Sequence, residues 1–545
     1  MLDLVLSGLL EKIFPICFAS KKPETRVIYI IIRTAINISL CIFIIFCTPV
    51  RRLSCQHVSY QIPLQTFQMT SLLLSATNIN PHVLEMKYAV RGEVLDVATA
   101  LKKQLIADPT SLPFPEVVSC NIGNPQALGQ APPAFARQVI SLVVNSDLIE
   151  SCPQAFLPQA IERAKLYLDK TNGIGAYSGS QGVEIVRKEV SDFISRRDGY
   201  PCDHNNIFLT NGASDGVKAL MQTTIRGGTC RDGVLVPIPQ YPLYSALTTL
   251  FDGELIGYYL DELSDWSFTI DELIRSTEEA VAKGISVRAL VIINPGNPTS
   301  AQLNKEQMIA VVNFCEDRSI VLMADEVYQE NLYGQSTDTF ISFKQVVCEM
   351  KSAVQLVSFH SVSKGYTGEC GIRGGYFELH NIASSVKQQL YQLASISLCS
   401  NMVGQLAVGL MVNPPTDGEA GALQQQHRDD IMNSLETRQN MLAETLNKME
   451  GVTCSSLSAA MYGFPRIALP LKAIEAAKRK NKQPDLFYCL EMLKKTGIIT
   501  VPGSGFKQKE NEYHFRITIL PPMNKFDAVM NRLQTFHQNF MNEYR

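Results

Sequence analysis

Ala289-Leu-Val-Ile-Ile293 runs without a break into Asn294-Pro-Gly-Asn-Pro-Thr299. An apolar run this short reads as a strand buried on both faces, and the Asn/Gly/Pro cluster behind it ends the strand in a turn. Three more segments repeat the design. Asn206-Ile-Phe-Leu-Thr210 leads into Asn211-Gly-Ala-Ser-Asp-Gly216, Gly233-Val-Leu-Val236 into Pro237-Ile-Pro-Gln-Tyr-Pro242, and Ile320-Val-Leu-Met-Ala324 into Asp325-Glu-Val-Tyr328. Helix-like stretches separate them, for instance residues 217–225 and 305–316. Alternating strands and helices predict an α/β fold with a mostly parallel sheet, in which ligands bind beyond the carboxyl ends of the strands. Taken singly, each segment is also an ordinary βα turn.

A fifth segment turns these strand ends into a candidate site. Residues 354–357 form a short, mostly apolar run, and Ser358-Phe-His-Ser-Val-Ser-Lys364-Gly-Tyr-Thr-Gly-Glu-Cys-Gly-Ile-Arg373-Gly-Gly follows it at once. One lysine sits among hydroxyls and glycines, with an arginine nine residues on. A phosphate-bearing aldehyde cofactor needs these parts: an amine to form a Schiff base, hydroxyls and a guanidinium for the phosphate, and glycines for close backbone approach. Ser-x-x-Lys also occurs in serine hydrolases of the β-lactamase type, so the segment alone leaves that chemistry open.

The segments Cys120-Asn-Ile-Gly-Asn-Pro-Gln-Ala-Leu-Gly-Gln130, Ala176-Tyr-Ser-Gly-Ser-Gln-Gly182, Pro237-Ile-Pro-Gln-Tyr-Pro-Leu-Tyr244 and Lys364-Gly-Tyr-Thr-Gly-Glu-Cys-Gly371 resemble the alanine aminotransferase branch of the fold-type I, class I/II aminotransferases. The similarity runs from about Lys87 to the C-terminus. It implies a large domain with a mostly parallel seven-stranded sheet sandwiched by helices, and a smaller α+β domain from the N- and C-terminal segments. The expected division is an extension over 1–85, an arm and part of the small domain over 86–150, the large cofactor domain over 151–405 and the C-terminal small domain over 406–545.

The resemblance also implies pyridoxal 5′-phosphate as cofactor and small amino acids and 2-oxo acids as substrates. The implied activity is ping-pong Schiff-base transfer of an amino group from L-alanine to 2-oxoglutarate, giving pyruvate and L-glutamate. Lys364 matches the Schiff-base lysine that carries the proton, and Asp325 the carboxylate facing the pyridine nitrogen, where a buried anion favours the protonated ring. Tyr328 and Asn297 match residues that bond the cofactor's phenolic oxygen, and Tyr241 an aromatic stacked on its ring. Ala213, Ser214 and Asp215 open a helix whose amides can face the phosphate. Asp215 is acidic, so a backbone role suits it, or a hydrogen bond that takes its charge elsewhere. Ser361, Ser363 and Arg373 complete that cradle, although many class I relatives place the arginine one residue earlier. Tyr177 matches a tyrosine that reaches the phosphate of the neighbouring subunit, which implies a homodimer. Arg516, inside the alternating Tyr513-His-Phe-Arg-Ile-Thr-Ile-Leu520, matches the clamp on the substrate carboxylate, with Gly123 and Asn297 beside it. The grip on glutamate's second carboxylate has no evident residue. Two enzymatic alternatives stay open, glutamate–glyoxylate transamination and an aminocyclopropane-carboxylate-synthase-like elimination, as does a catalytically silent regulatory protein on this fold.

Composition agrees with a large enzyme. A chain of 545 residues carries a net charge of −3, which offers no basic field for nucleic acid, and it shows no zinc-like cluster. Its 14 cysteines are scattered without a Cys-x-x-Cys pair, which predicts free thiols in a reducing compartment, cytosol or mitochondrial matrix. Residues 412–430, with Pro414-Pro415 and a glutamine run from Gln424, read as a loop-like insertion. Residues 472–483 read as a solvated helix, and a helix over about 522–542 should close the small domain. The first 85 residues stand apart. No Asp or Glu occurs between Glu24 and Glu85, and residues 27–47 are mostly apolar with Arg33 as their one charge. A membrane-spanning helix, an organelle transit region and a mispredicted start site all fit that stretch. Membrane contact is expected only through it.

Overall fold

A computed structural model describes residues 75, 78–88, 92–334, 340–455 and 457–545. Every described residue belongs to one compact unit, 74–545. The apolar segment 27–47 therefore lies outside the described residues. Among the described residues no helix is long and apolar enough to cross a membrane.

The expected sheet is present. Its strands are β1 Ile207–Thr210, β2 Asp232–Ile238, β3 Glu254–Tyr259, β4 Ser286–Ile293, β5 Val321–Asp325, β6 Leu356–Ser361 and β7 Gly375–His380, in the order β1-β7-β6-β5-β4-β2-β3. Pairing is parallel from β6 through β3, while β7 is antiparallel to both its neighbours. Thus β7 alone runs backwards, and β1 points the same way as the other five. Their carboxyl ends share one edge, as the turn chemistry requires.

Strand periodicity builds the core. Successive side chains point to opposite faces, so Val234 and Val236 pack with Ala289, Val291 and Met323 on one face. Leu235, Leu290, Ile292 and Leu322 pack with Met308 and Phe343 on the other. Both faces are covered by helices, among them α1 Ala213–Thr224, which follows β1, and α2 Pro242–Leu250, which follows β2. This double burial is why these strands read as unbroken apolar runs.

A separate core joins the C-terminal third to Val327 and Tyr328. It is organised by α3 Gly418–Asn447, α4 Pro484–Thr496 and α5 Met523–Tyr544. Here the sequence reading needs correction. The supposed insertion is helical from Gly418 onward, because Ala420, Gly421 and Gln424 are buried and Gln424 donates to the Tyr366 hydroxyl at 2.8 Å. The strand around Arg516 is shorter than expected, Phe515–Thr518, and buried at all four positions, so it is fully and not half buried. The lysine-rich helix, Leu471–Arg479, is amphipathic, with Ala473, Ala476 and Ala477 inside. Val118–Ser119 pairs with Ile498–Ile499 and Thr518 donates to the Cys120 carbonyl. Those two ties set the Asn121–Gly123 loop beside the Arg516 strand.

Candidate active site

Beyond the shared strand edge lies a cavity of about 280 Å³ whose wall includes Lys364, Asp325, Tyr328, Asn297 and Arg516. Lys364 stands three residues past β6, and its Nζ donates to the Gly123 carbonyl at 2.8 Å. Its ammonium also lies 5.5 Å from the centre of the Tyr328 ring. Asp325 ends β5 and is 5% exposed. Its Oδ2 accepts from the Tyr244 hydroxyl at 2.8 Å, while Oδ1 is buried without a partner. Burial pushes this carboxyl up to about 6, against the pull of the Tyr244 bond, the Val327 amide and Lys364. A buried carboxylate oxygen left unpaired in a cavity is a receptor for a cationic or N–H group.

Arg516, 2% exposed, is held on three sides. One Nη donates to Asn297 Oδ1 at 2.8 Å and the other to the Asn121 carbonyl at 2.5 Å, while the guanidinium lies 4.3 Å over the Tyr462 ring. Its Nε is buried with no partner, so a charged donor is free to take a carboxylate.

The opposite end is built for an anion of another shape. Ala213 and Ser214 open α1 and line the cavity, and the first amides of an α-helix have no intrahelical acceptor. Ser361, Ser363 and Arg373 line the same end. Arg373 has φ +61°, uncommon for a residue with a side chain. Its guanidinium bonds the Asn211 and Cys370 carbonyls at 3.0 Å each. Gly212 faces it at φ +82°, and a Cβ there would overlap the guanidinium.

Two placements differ from that cluster. Asp215 is outside the cavity wall; its carboxylate accepts from the Asn211 amide at 3.3 Å and lines a neighbouring cavity. Its charge thus points away from the anion end. Tyr177 is 77% exposed and does not line the cavity. Tyr241 does line it, capping α2, but its hydroxyl is tied to that of Tyr88 at 3.0 Å.

Four site residues escaped the sequence reading: Tyr88, Tyr244, Asn121 and Tyr462. Tyr244 was legible, being one helical turn after Tyr241 in a segment already singled out. Tyr462 sits in the two-residue strand Tyr462–Gly463, too short to register as a periodicity. The Tyr328 hydroxyl donates to the Tyr462 hydroxyl at 3.1 Å. Burial raises the Tyr462 phenol, but Lys364 and Arg516 together hold it below its ordinary value.

The chain belongs to the aminotransferase class I and II family, whose model matches residues 138–533. It is 49% identical over 483 residues to the probable mitochondrial alanine aminotransferase of Dictyostelium discoideum, covering 87% of this chain and 90% of that one. Glutamate–glyoxylate aminotransferase 2 of Arabidopsis thaliana is 46% identical, with 87% and 98% covered. An aminotransferase from Escherichia coli, solved by crystallography, superimposes with a TM-score of 0.66 at 25% identity, over 86% of this chain and 100% of that one.

The protein is thus a transaminase of the pyridoxal-phosphate-dependent kind, and the cavity fits that cofactor. A phosphate suits the α1 amides, the two serines and Arg373; a protonated ring nitrogen suits the orphaned Asp325 oxygen; and Lys364 stands in the wall of the same cavity with an amine for the aldehyde.

Proposed function

We propose that this chain is an alanine transaminase, converting L-alanine and 2-oxoglutarate to pyruvate and L-glutamate. The observation that carries the reading is the convergence of Lys364, Asp325 and Arg516 on one cavity, in a chain 49% identical to a protein named as an alanine aminotransferase. When bound, pyridoxal phosphate supplies an aldehyde that takes up the amino group and a cationic ring that spreads the charge left on the substrate Cα.

The chain's own residues do the rest. Arg516, fixed by Asn297 and the Asn121 carbonyl, holds the substrate α-carboxylate through its free Nε edge and so orients Cα. Lys364, whose Nζ donates to the Gly123 carbonyl, would carry the proton taken from the substrate Cα. Asp325 would supply the negative charge that favours a protonated ring, and Tyr328 and Asn297, in the same wall, would donate to its phenolic oxygen. Tyr241, in the cavity wall, would pack on the ring face. Ala213 and Ser214, with Ser361, Ser363 and Arg373, would hold the phosphate, whereas the Asp215 amide donates to the Gly212 carbonyl at 3.1 Å and takes no part. Gly123 leaves room over the substrate carboxylate. Tyr177, exposed on the single chain, serves the cradle of a second subunit in a homodimer. The mitochondrial address of the Dictyostelium relative and the acid-poor stretch before Glu85 support the matrix as its compartment.

The test is spectroscopic. Adding L-alanine to purified, cofactor-loaded protein should remove the visible band of the bound cofactor, and 2-oxoglutarate should restore it. A band that ignores alanine would reject the assignment. Because the Arabidopsis relative is named for glyoxylate, glyoxylate belongs in the same assay. Faster recovery with glyoxylate than with 2-oxoglutarate would favour that second reading.

A further inference from the structure

Tyr462 touches both halves of the site. It is 3% exposed, its hydroxyl accepts from Tyr328 at 3.1 Å, and its ring carries the Arg516 guanidinium at 4.3 Å. The Tyr328 and Tyr462 rings meet edge-on, 5.9 Å between centres. A Cβ on Gly123 would overlap the Tyr462 hydroxyl and come within 2.9 Å of Lys364 Nζ, so phenol and ammonium border the same small space. These contacts span the proton-carrying end and the carboxylate-binding end of one cavity.

We propose that Tyr462 is a positioning residue for the transamination, steering Tyr328 through its hydroxyl and Arg516 through its ring. The proposal rests on the roles given above to those two residues. A phenol both donates and accepts. With no other acceptor, Tyr328 spends its proton on Tyr462. Once Tyr328 donates to an oxygen of the bound cofactor, Tyr462 becomes its donor, which strengthens the Tyr328 bond. The ring acts separately, supporting a buried guanidinium by cation–π attraction. Five groups act on the Tyr462 hydroxyl: Tyr328 from the turn after β5, Lys364 and Cys370 from the loop after β6, Arg516 from the C-terminal strand, and Tyr241 from the start of α2. Asp325 engages Tyr244 and Lys364 instead.

Two variants separate the hydroxyl from the ring. Tyr462→Phe keeps the ring and removes the donor, so a pH titration of the loaded protein's visible absorbance, without substrate, should move its midpoint up by about half a unit. KM for L-alanine should stay within about twofold, since the contact to Arg516 survives. Tyr462→Leu removes the ring as well and should raise that KM about tenfold. An unmoved or lowered midpoint in Tyr462→Phe overturns the proposal, and this holds even if Tyr462→Leu does not fold. A wild-type protein that titrates normally but ignores alanine sinks the alanine assignment instead, leaving the midpoint comparison readable.

Discussion

Asp325→Asn removes one negative charge from the cavity wall while keeping an oxygen for the Tyr244 hydroxyl. Burial raises this carboxyl from 3.8 to about 6 in the cofactor-free protein. Two pH units at about 1.4 kcal/mol each make ionised Asp325 a destabilising element of ~3 kcal/mol. The sign follows from the raised value. Asp325's contribution to stability is fully present below about pH 4 and is lost as pH rises through about 6, because the unfolded carboxyl ionises first. Asparagine carries no such dependence. The cofactor-free variant should therefore be the more stable protein, with roughly half the gain present at about pH 5 and nearly all of it by about pH 7.5. With cofactor bound the order should reverse, since the same charge then meets a cationic partner, and turnover should fall by about 10²- to 10³-fold. Urea midpoints of the cofactor-free proteins at the two pH values, and single-turnover rates of the loaded ones, read both effects. A stability difference that does not change with pH, or undiminished turnover, would refute the argument.

Other substitutions probe the remaining parts. Lys364→Ala removes the amine assigned above to proton transfer but leaves the phosphate end intact, so it should abolish alanine turnover while far-ultraviolet circular dichroism stays native. Arg516→Lys replaces a planar fork by one ammonium nitrogen, which cannot keep the Asn297 and Asn121 contacts and still grip a carboxylate through two bonds, and KM for alanine should rise by about ten- to a hundredfold. Gly123→Ala places a methyl group against the Tyr462 hydroxyl and Lys364 Nζ, so kcat should drop far more than cofactor affinity measured by fluorescence titration.

What the sequence disclosed follows from how each residue is placed. Strands buried on both faces betray themselves as apolar runs, and residues at their ends inherit a known edge, which is why Asp325, Asn297 and Lys364 could be located in advance. Residues 418–430 misled because the preceding Pro414-Pro415 and the glutamine run from Gln424 suggest a loop, while the burial of Ala420 and Gln424 depends on contacts far along the chain. Tyr462 and Tyr88 were invisible for a related reason. Neither lies in a periodic segment, and each reaches the cavity through pairings, Tyr462–Thr518 and Tyr88–Tyr241, that join residues tens to hundreds of positions apart. The reversed strand β7 also left no mark, because a strand buried on both sides looks the same in either direction.

The charges in the cavity constrain what enters it. Among the described lining residues, Lys364, Arg373 and Arg516 are cations and Asp325 is the one carboxylate, a surplus that a phosphate and an α-carboxylate offset. Arg373 belongs geometrically to the α1 end and Arg516 to the Asn297 end, so the two anions are received separately. Alanine brings no third anion, and the site matches it without further groups. Glutamate and 2-oxoglutarate bring a second carboxylate, for which the described wall offers neutral donors such as the Tyr88–Tyr241 phenol pair. A neutral phenol pair stabilises an anion less than a guanidinium does, but it also leaves no unpaired buried charge when alanine occupies the site. An enzyme that alternates between a monocarboxylate and a dicarboxylate has reason to use donors that tolerate both states. On this argument Tyr88→Phe should raise KM for 2-oxoglutarate several-fold, in keeping with the ~1 kcal/mol net worth of one hydrogen bond, and leave KM for alanine unchanged; equal effects on both substrates would remove Tyr88 from the recognition of the second carboxylate.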